Sequence, residues 1–339
     1  MAILSFPRGT LQGEQIPSLQ SIELFAGAGG LGMGFSGSGV QHQAVVEWSK
    51  HACETLRINK RHGVEPIAHW ADVTEGDVRQ FDFSNYAGLD LITGGPPCQP
   101  FSMGGKHRGF LDERDMFPQA VRAIREVRPK AFVFENVKGL TRASFYNYFN
   151  YIQLQLEYPS LQARVGEEWL EHLSRLEQHK TAGGLSEYHV VARLVNAADY
   201  GVPQFRKRVL IVGVRDDVSD WFKFPSVSHA KPKVAEKLGL LPHASHGEAI
   251  KHLPPNPEGE YYERPHDPEG NFAWYFMSRN RRHRWDSPAF TVVANFRHIT
   301  LHPASPKMEL EWRDLANGWK QKWRFTTEYD HVAFAPTFP

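Results

Sequence analysis

A doubly wound, Rossmann-like α/β fold is what this 339-residue sequence predicts, and three stretches predict it. Ser21-Ile22-Glu23-Leu24-Phe25 is a short apolar run that closes on Gly27-Ala28-Gly29-Gly30-Leu31-Gly32, the spacing of a strand turning tightly into a helix. About 20 residues further on, Val45-Val46-Glu47 ends a second run on a carboxylate, where folds of this kind hold a ribose diol. Leu91-Ile92-Thr93 is a third run, stopped abruptly by Gly94-Gly95-Pro96-Pro97. Open sheets bind ligands outside the carboxyl ends of their strands, and each run carries its glycines, acid or prolines there.

The remaining elements follow in order. Residues 1–20 carry no strong period and are expected to form a leader across the domain edge. The glycine spacing by itself suits an NAD enzyme as well as any other adenosine-binding protein. Trp48, beside Glu47, suits either an adenine face or the core. The next extended piece is expected from Ile67 to Asp72, where Asp72 fits either a ligand-binding acid or a turn. Cys98 leaves the third strand on two prolines, which fix φ and remove two donors, so its sulfur has a stiff support. Residues 103–110 have too little apolar periodicity for a helix. Asp112 to Arg128 has helical spacing at Phe117, Val121, Ile124 and Val127, and Pro129 stops it.

Ala131 to Phe134 reads as a buried strand with Glu135-Asn136-Val137 at its end. Two strand ends therefore offer Cys98 and Glu135 to one crevice. A buried glutamate at such a place is seldom structural, because desolvating it without a partner is costly. Residues 145–180 look helical, with Trp169, Leu170, Leu173 and Leu176 as an amphipathic stripe. Tyr188 to Val195 and Val209 to Val214 read as two more strands. Between them Arg206 and Arg208 alternate around Lys207, which puts both on one side of an extended chain.

From about residue 224 the composition shifts, with prolines and histidines crowding residues 225–268. The main domain is expected over 1–223 and a smaller, irregular lobe over 224–339. That lobe holds the densest basic run, with Arg279, Arg281, Arg282 and Arg284 among the aromatics Trp274, Tyr275, Phe276 and Trp285. Arginines with aromatics suit phosphate and base-edge contacts. Phe290 to Ala294 reads as a strand.

Composition sets the bounds. Hydrophobic residues make up 41% and charged residues 23%, enough for one large core and a smaller lobe. The formal net charge is +1, so any nucleic-acid surface must be local. Two cysteines exclude a disulfide framework and fit a reducing cytoplasm. No apolar run is long enough to span a bilayer and no signal peptide opens the chain, so no membrane partner is expected.

Four blocks in one order carry a resemblance: Phe25-Ala26-Gly27-Ala28-Gly29-Gly30, Pro97-Cys98-Gln99, Glu135-Asn136-Val137 and Gln204-Phe205-Arg206-Lys207-Arg208. From residue 20 to about 303 the chain resembles the cytosine-C5 DNA methyltransferases of prokaryotic restriction-modification systems. The resemblance implies an adenosylmethionine-binding catalytic domain over 1–223 and a DNA-recognition domain over 224–339. It implies methyl transfer from S-adenosylmethionine to carbon 5 of a flipped-out cytosine in a specific double-stranded DNA sequence, through a Cys98 adduct. Cys98, Glu135, Arg206 and Arg208 take the catalytic roles, with Arg208 holding the base and Arg206 bracing the site. Residues Phe25, Ala26, Gly27, Ala28, Gly29, Gly30, Glu47, Trp48, Asp72, Val73 and Pro96 take the cofactor. Gln99, Ser102, Arg279, Arg281, Arg282 and Arg284 take DNA, and residues 103–110 match the family's mobile catalytic loop.

The family's later Arg-Glu-Ala-Arg and Gly-Asn-Ser/Ala-Val motifs are not found after His302-Pro303, so either a second polypeptide is expected to supply them or the chain is truncated or degenerate. A cognate restriction endonuclease acting on the same site is the other expected partner. An RNA cytosine methyltransferase of this fold and a non-catalytic or split-enzyme subunit are the alternatives. Against the first, residues 224–339 lack the cysteine of the RNA enzymes' Cys-Phe-Thr element.

Overall fold

The computed structural model describes residues 18–97, 115–218, 221–253, 280, 282–291, 303, 307–314 and 320–326. The chain divides into two compact units, one of residues 1–195 with 208–224 and another of residues 196–207 with 225–339. The second unit therefore takes in the segment between the last two strands of the sheet as well as the C-terminal part.

The first unit is built on a seven-stranded sheet. Its strands are β1 (Gln20–Leu24), β2 (Gln41–Glu47), β3 (Val73–Glu75), β4 (Leu91–Gly94), β5 (Ala131–Val137), β6 (Tyr188–Asn196) and β7 (Lys207–Arg215), in the order β3-β2-β1-β4-β5-β7-β6. The first five run parallel and β7 runs antiparallel to β5. The chain changes direction in the sheet between β1 and β4, the point at which such folds open a crevice.

The helices are α1 (Gly30–Gly37), α2 (Lys50–Arg61), α3 (Phe117–Val127), α4 (Tyr146–Glu157) and α5 (Trp169–Thr181). Ser49 caps α2 through the Ala52 amide, and Arg128 closes α3 in the left-handed region just before Pro129. One face of the sheet packs Ile22, Leu24, Ile92, Phe132 and Phe134 into a core with Phe117, Ile124 and Ile152 of α3 and α4. On the other, Val45 packs with Leu56 of α2, Ile67 and Trp70.

Three expectations shift. Ile67 to Asp72 is not extended: Pro66 opens a 3-10 turn over Ile67–His69, closed by bonds such as Trp70 N to Ile67 O, and the strand starts only at Val73. The turn wins because it buries Ile67 and Trp70 against α2. Residues 145–180 break into two helices where Pro159 interrupts the pattern, and Glu168 with Glu171 forms a capping box for the second. On that second helix Leu173 and Leu176 are buried while Leu170 is exposed. The helix expected from Asp112 is described from Phe117. The leader 1–17 and most of the strand expected at 290–294 lie outside the described residues.

In the second unit, α6 (Pro232–Leu238) and α7 (His246–Ile250) accompany the short pair β8 (His229–Ala230) and β9 (Leu241–Pro242). A hairpin follows, β10 (Met308–Asp314) with β11 (Lys320–Phe325). Residues 203–205 join Ala289 through two backbone bonds of 2.8 Å. No helix among the described residues is long and apolar enough to cross a membrane.

Candidate functional site

The glycine loop is shaped by backbone conformations that ordinary residues avoid. Gly29 has φ +93°, and a Cβ there would sit 2.9 Å from Leu56 Cδ2 and 3.1 Å from the Trp70 ring. The chain thus turns into α1 by packing its backbone directly on the α2 side of the core. Phe25 also has positive φ, at 55°. It lies two residues beyond Glu23, with Ala26 buried behind it.

Glu47 fastens this loop. Its carboxylate accepts from the Gly27 amide at 2.7 Å and from the Ser49 amide at 2.6 Å, one on each oxygen. Each carboxylate oxygen has a further lone pair, so capacity for a diol remains. Trp48 follows, 67% exposed, an apolar ring open to a ligand.

The structure separates Asp72 from this end of the sheet. Glu75 pairs in register with Glu47, so Asp72 stands at the amino end of β3. Its side chain is 93% exposed and forms an ion pair with Lys60 at 2.6 Å, which holds its carboxyl below the usual range. Val73 pairs with Val45, also away from the strand ends. At the carboxyl end Glu75 pairs with Arg57 at 2.6 Å, and two residues on stands Asp77, an acid that the sequence reading missed. It accepts from the Arg79 amide at 2.9 Å and guanidinium at 2.8 Å, bonds that lower its pKa. The Arg79 guanidinium in turn lies 6.0 Å from the Trp48 ring centroid. The signal was present as Gly76-Asp77 after Val73-Thr74-Glu75. Placing the strand one segment too early pointed to Asp72 instead.

The other half of the site gathers where β4 and β5 end. A Cβ at Gly94 would run into the Leu24 carbonyl, so only glycine allows β4 to leave the sheet this close to β1. Gly95 then passes Glu135, and a Cβ there would lie 3.8 Å from Glu135 Oε2. Buried Asn136 donates from Nδ2 to the Pro96 carbonyl at 3.0 Å, while its Oδ1 accepts from the Val137 amide at 2.8 Å. Asn136 therefore fixes the rigid diproline step that leads into Cys98, a positioning role that its motif suggested only by company. Met116 N donates to Pro97 O at 3.3 Å, and Asp115 accepts from the Phe117 amide and the Tyr148 hydroxyl.

Glu135 and Arg208 meet directly. Antiparallel pairing sets Val137 against Arg208, and Arg208 Nε lies 2.6 Å from Glu135 Oε1. Both side chains are about a quarter exposed or less, at 26% and 21%, so the pair faces a crevice edge. Arg206 precedes β7 and belongs to the second unit, where its carbonyl accepts from the Ala197 amide at 2.9 Å. Cys98, Gln99, Ser102, Arg279 and Arg281, with the loop expected at 103–110, lie outside the described residues. Of the basic run, Arg282 donates to the Pro303 carbonyl at 2.6 Å, and exposed Arg284 pairs with Asp286 at 2.7 Å. No group of three potential metal ligands gathers among the described residues.

A family model described as C-5 cytosine-specific DNA methylase matches residues 19–158 and 167–315. The chain is 39% identical over 218 residues to the type II methyltransferase M.NgoMIV of Neisseria gonorrhoeae, a match covering 64% of this chain and 59% of that protein. It is 33% identical over 300 residues to M.NgoPII, a type II methyltransferase of the same organism, covering 86% and 76%. Among solved structures, a chain described as an E. coli prophage-encoded DNA modification methyltransferase aligns with a TM-score of 0.51 at 20% identity, over 84% of each chain. That last likeness is one of fold.

Proposed function

This chain belongs to the C-5 cytosine-specific DNA methylase family, and from that premise we propose that it methylates carbon 5 of cytosine in a specific duplex DNA sequence through a covalent adduct on Cys98. Methyltransferases of this family use S-adenosylmethionine, which supplies an electrophilic methyl group when bound. The residues present suit it. Glu47 has acceptor capacity for the ribose hydroxyls, Trp48 offers a ring face to adenine, and Asp77 offers an acceptor to its amino group. The loop from Phe25 to Gly30, with Pro96, lines the remainder.

Carbon 5 of cytosine is a poor nucleophile. Addition of the Cys98 thiolate to C6 turns the ring into an enamine in which C5 is nucleophilic. Glu135, oriented by Arg208 and entering the step protonated, donates its proton to N3 as charge builds there. Loss of the C5 proton and β-elimination then restore the base and free the thiolate. The ring atoms lie inside the stack, so the cytosine must be flipped into the crevice. Arg206 braces the site and the basic run around Arg284 serves DNA in this reading, and a cognate endonuclease would share the recognition sequence.

One observation carries the proposal: the Glu135–Arg208 pair stands beside Gly95, on the backbone that Asn136 holds as it leads into Pro97-Cys98. The test is a duplex carrying 5-fluorocytosine at the target position. Fluorine blocks the elimination, so wild-type protein with S-adenosylmethionine should give a covalent complex that survives denaturing gels. Cys98→Ser should lose the complex yet still bind DNA. A Cys98→Ser variant that methylates at near wild-type rate would overturn the reading.

A further inference from the structure

The site described so far leaves one ionisable group unused. Glu23 sits one residue before the end of β1, 1% exposed, on the face beneath α1. The Thr93 hydroxyl of β4 donates to Oε2, the Gly32 amide of α1 lies close enough to oppose the effect of burial, and Oε1 makes no hydrogen bond. Val45 occupies the paired position on β2. That strand carries two titratable residues: Glu47, bonded to the Gly27 and Ser49 amides, and His42, which bonds the Gly32 carbonyl at 3.0 Å and Ser21 Oγ at 2.7 Å. Burial lowers the pKa of His42, which keeps it neutral. No charged side chain among the described residues offsets a charge on Glu23, and burial pushes its carboxyl up to about 7.

Its three neighbours all lead to the site. Two residues after Glu23 the chain enters the glycine loop at Phe25. Thr93 precedes the Gly94–Pro97 step, and Gly32 lies in the first turn of α1. A charge here would sit beneath the point where those segments diverge. The methyl donor carries a sulfonium cation, whereas its demethylated product S-adenosylhomocysteine is a neutral thioether. A carboxylate under the loop stabilises the first relative to the second, and a protonated carboxyl does not.

Resting on the function proposed above, we infer that Glu23 is a specificity-determining residue that favours the sulfonium of S-adenosylmethionine over the thioether of its product. Linkage then requires that binding of the cation draw a proton off Glu23, so discrimination strengthens as pH rises. Charges on the order of 10 Å apart at the effective dielectric of a protein shift such a ratio by about tenfold.

Isothermal calorimetry with each ligand, between about pH 6 and about pH 8.5 to bracket the raised carboxyl, tests this. In wild type the ratio of product Kd to donor Kd should rise about tenfold across that range. Buffers of differing ionisation enthalpy should report proton release with the donor beyond that seen with the product. Glu23→Gln should hold the ratio near its low-pH value. Ligand groups that titrate are common to both proteins, so the difference between proteins is what counts. Should Glu23→Gln fail to fold, Thr93→Val removes the hydroxyl that stabilises the carboxylate and should move the rise to higher pH. A wild-type ratio that stays flat while both ligands bind, or a pH-dependent ratio that survives Glu23→Gln or is unmoved by Thr93→Val, overturns the role of Glu23 alone. Failure of either ligand to bind at any pH overturns the proposed function with it.

Discussion

The two faces of the sheet are made from the same strands by simple alternation, yet they differ in kind. Toward α3 and α4, β1 presents Ile22 and Leu24, which join Ile92, Phe132, Phe134 and Phe117 in a core without exposed members. Toward α1, the same strand presents Ser21 and Glu23, which join His42, Thr93 and both polar groups of the Gly32 peptide in a buried polar seam. Glu47 continues the alternation of Val45, and Glu135 that of Val133, so both fall on the seam's side of their strands. The apolar face fills space and can be varied at constant volume. The polar face is tolerable because its groups, Glu23 Oε1 excepted, are placed against partners, and the same placement carries its acids to the carboxyl ends. Asn136 is the exception, a polar side chain on the apolar parity, satisfied by the Pro96 carbonyl and the Val137 amide.

The comparison breaks most forcefully at adjacent residues of one strand. Phe134→Ala, on the apolar face, should cost about 3–5 kcal/mol of folding stability, read as a lowered denaturant midpoint. Cofactor affinity of the folded protein should stay within about twofold. An affinity loss matching the stability loss would mean that the two faces are not separable.

Next to it, Glu135→Gln keeps volume and a hydrogen bond but gives up the charge that meets Arg208. Turnover should fall by roughly 100-fold or more, while calorimetric affinity for S-adenosylmethionine hardly changes. Stability that dropped as steeply as turnover would assign the ion pair to the scaffold instead.

The smallest effect should sharpen the division along β3. Asp77→Asn should weaken cofactor binding by about tenfold, a typical loss for one charge-assisted hydrogen bond. Asp72→Asn should change it by less than about twofold, because its ion pair with Lys60 is exposed and worth little. Equal losses would show that the amino end of β3 also reaches the cofactor.

The residue pattern alone carried the glycine turn, the strands at 21–24, 45–47, 91–93 and 131–134, and Glu47 and Glu135 as strand-end acids. These are local matters. A short apolar run closed by glycine, proline or an acid is readable without knowing its neighbours. Other features depended on what packs against what. Ile67–His69 became a turn because Trp70 fits against Gly29 and Gly32, glycines about forty residues earlier in the sequence. That shift moved the strand-end acid from Asp72 to Asp77. The contact of Glu135 with Arg208 was decided by the antiparallel register of β5 with β7, which no spacing encodes. Glu23 reads in the sequence as an ordinary polar residue of an alternating strand. Only the closure of α1 over it removed its water, and so raised the pKa of its carboxyl.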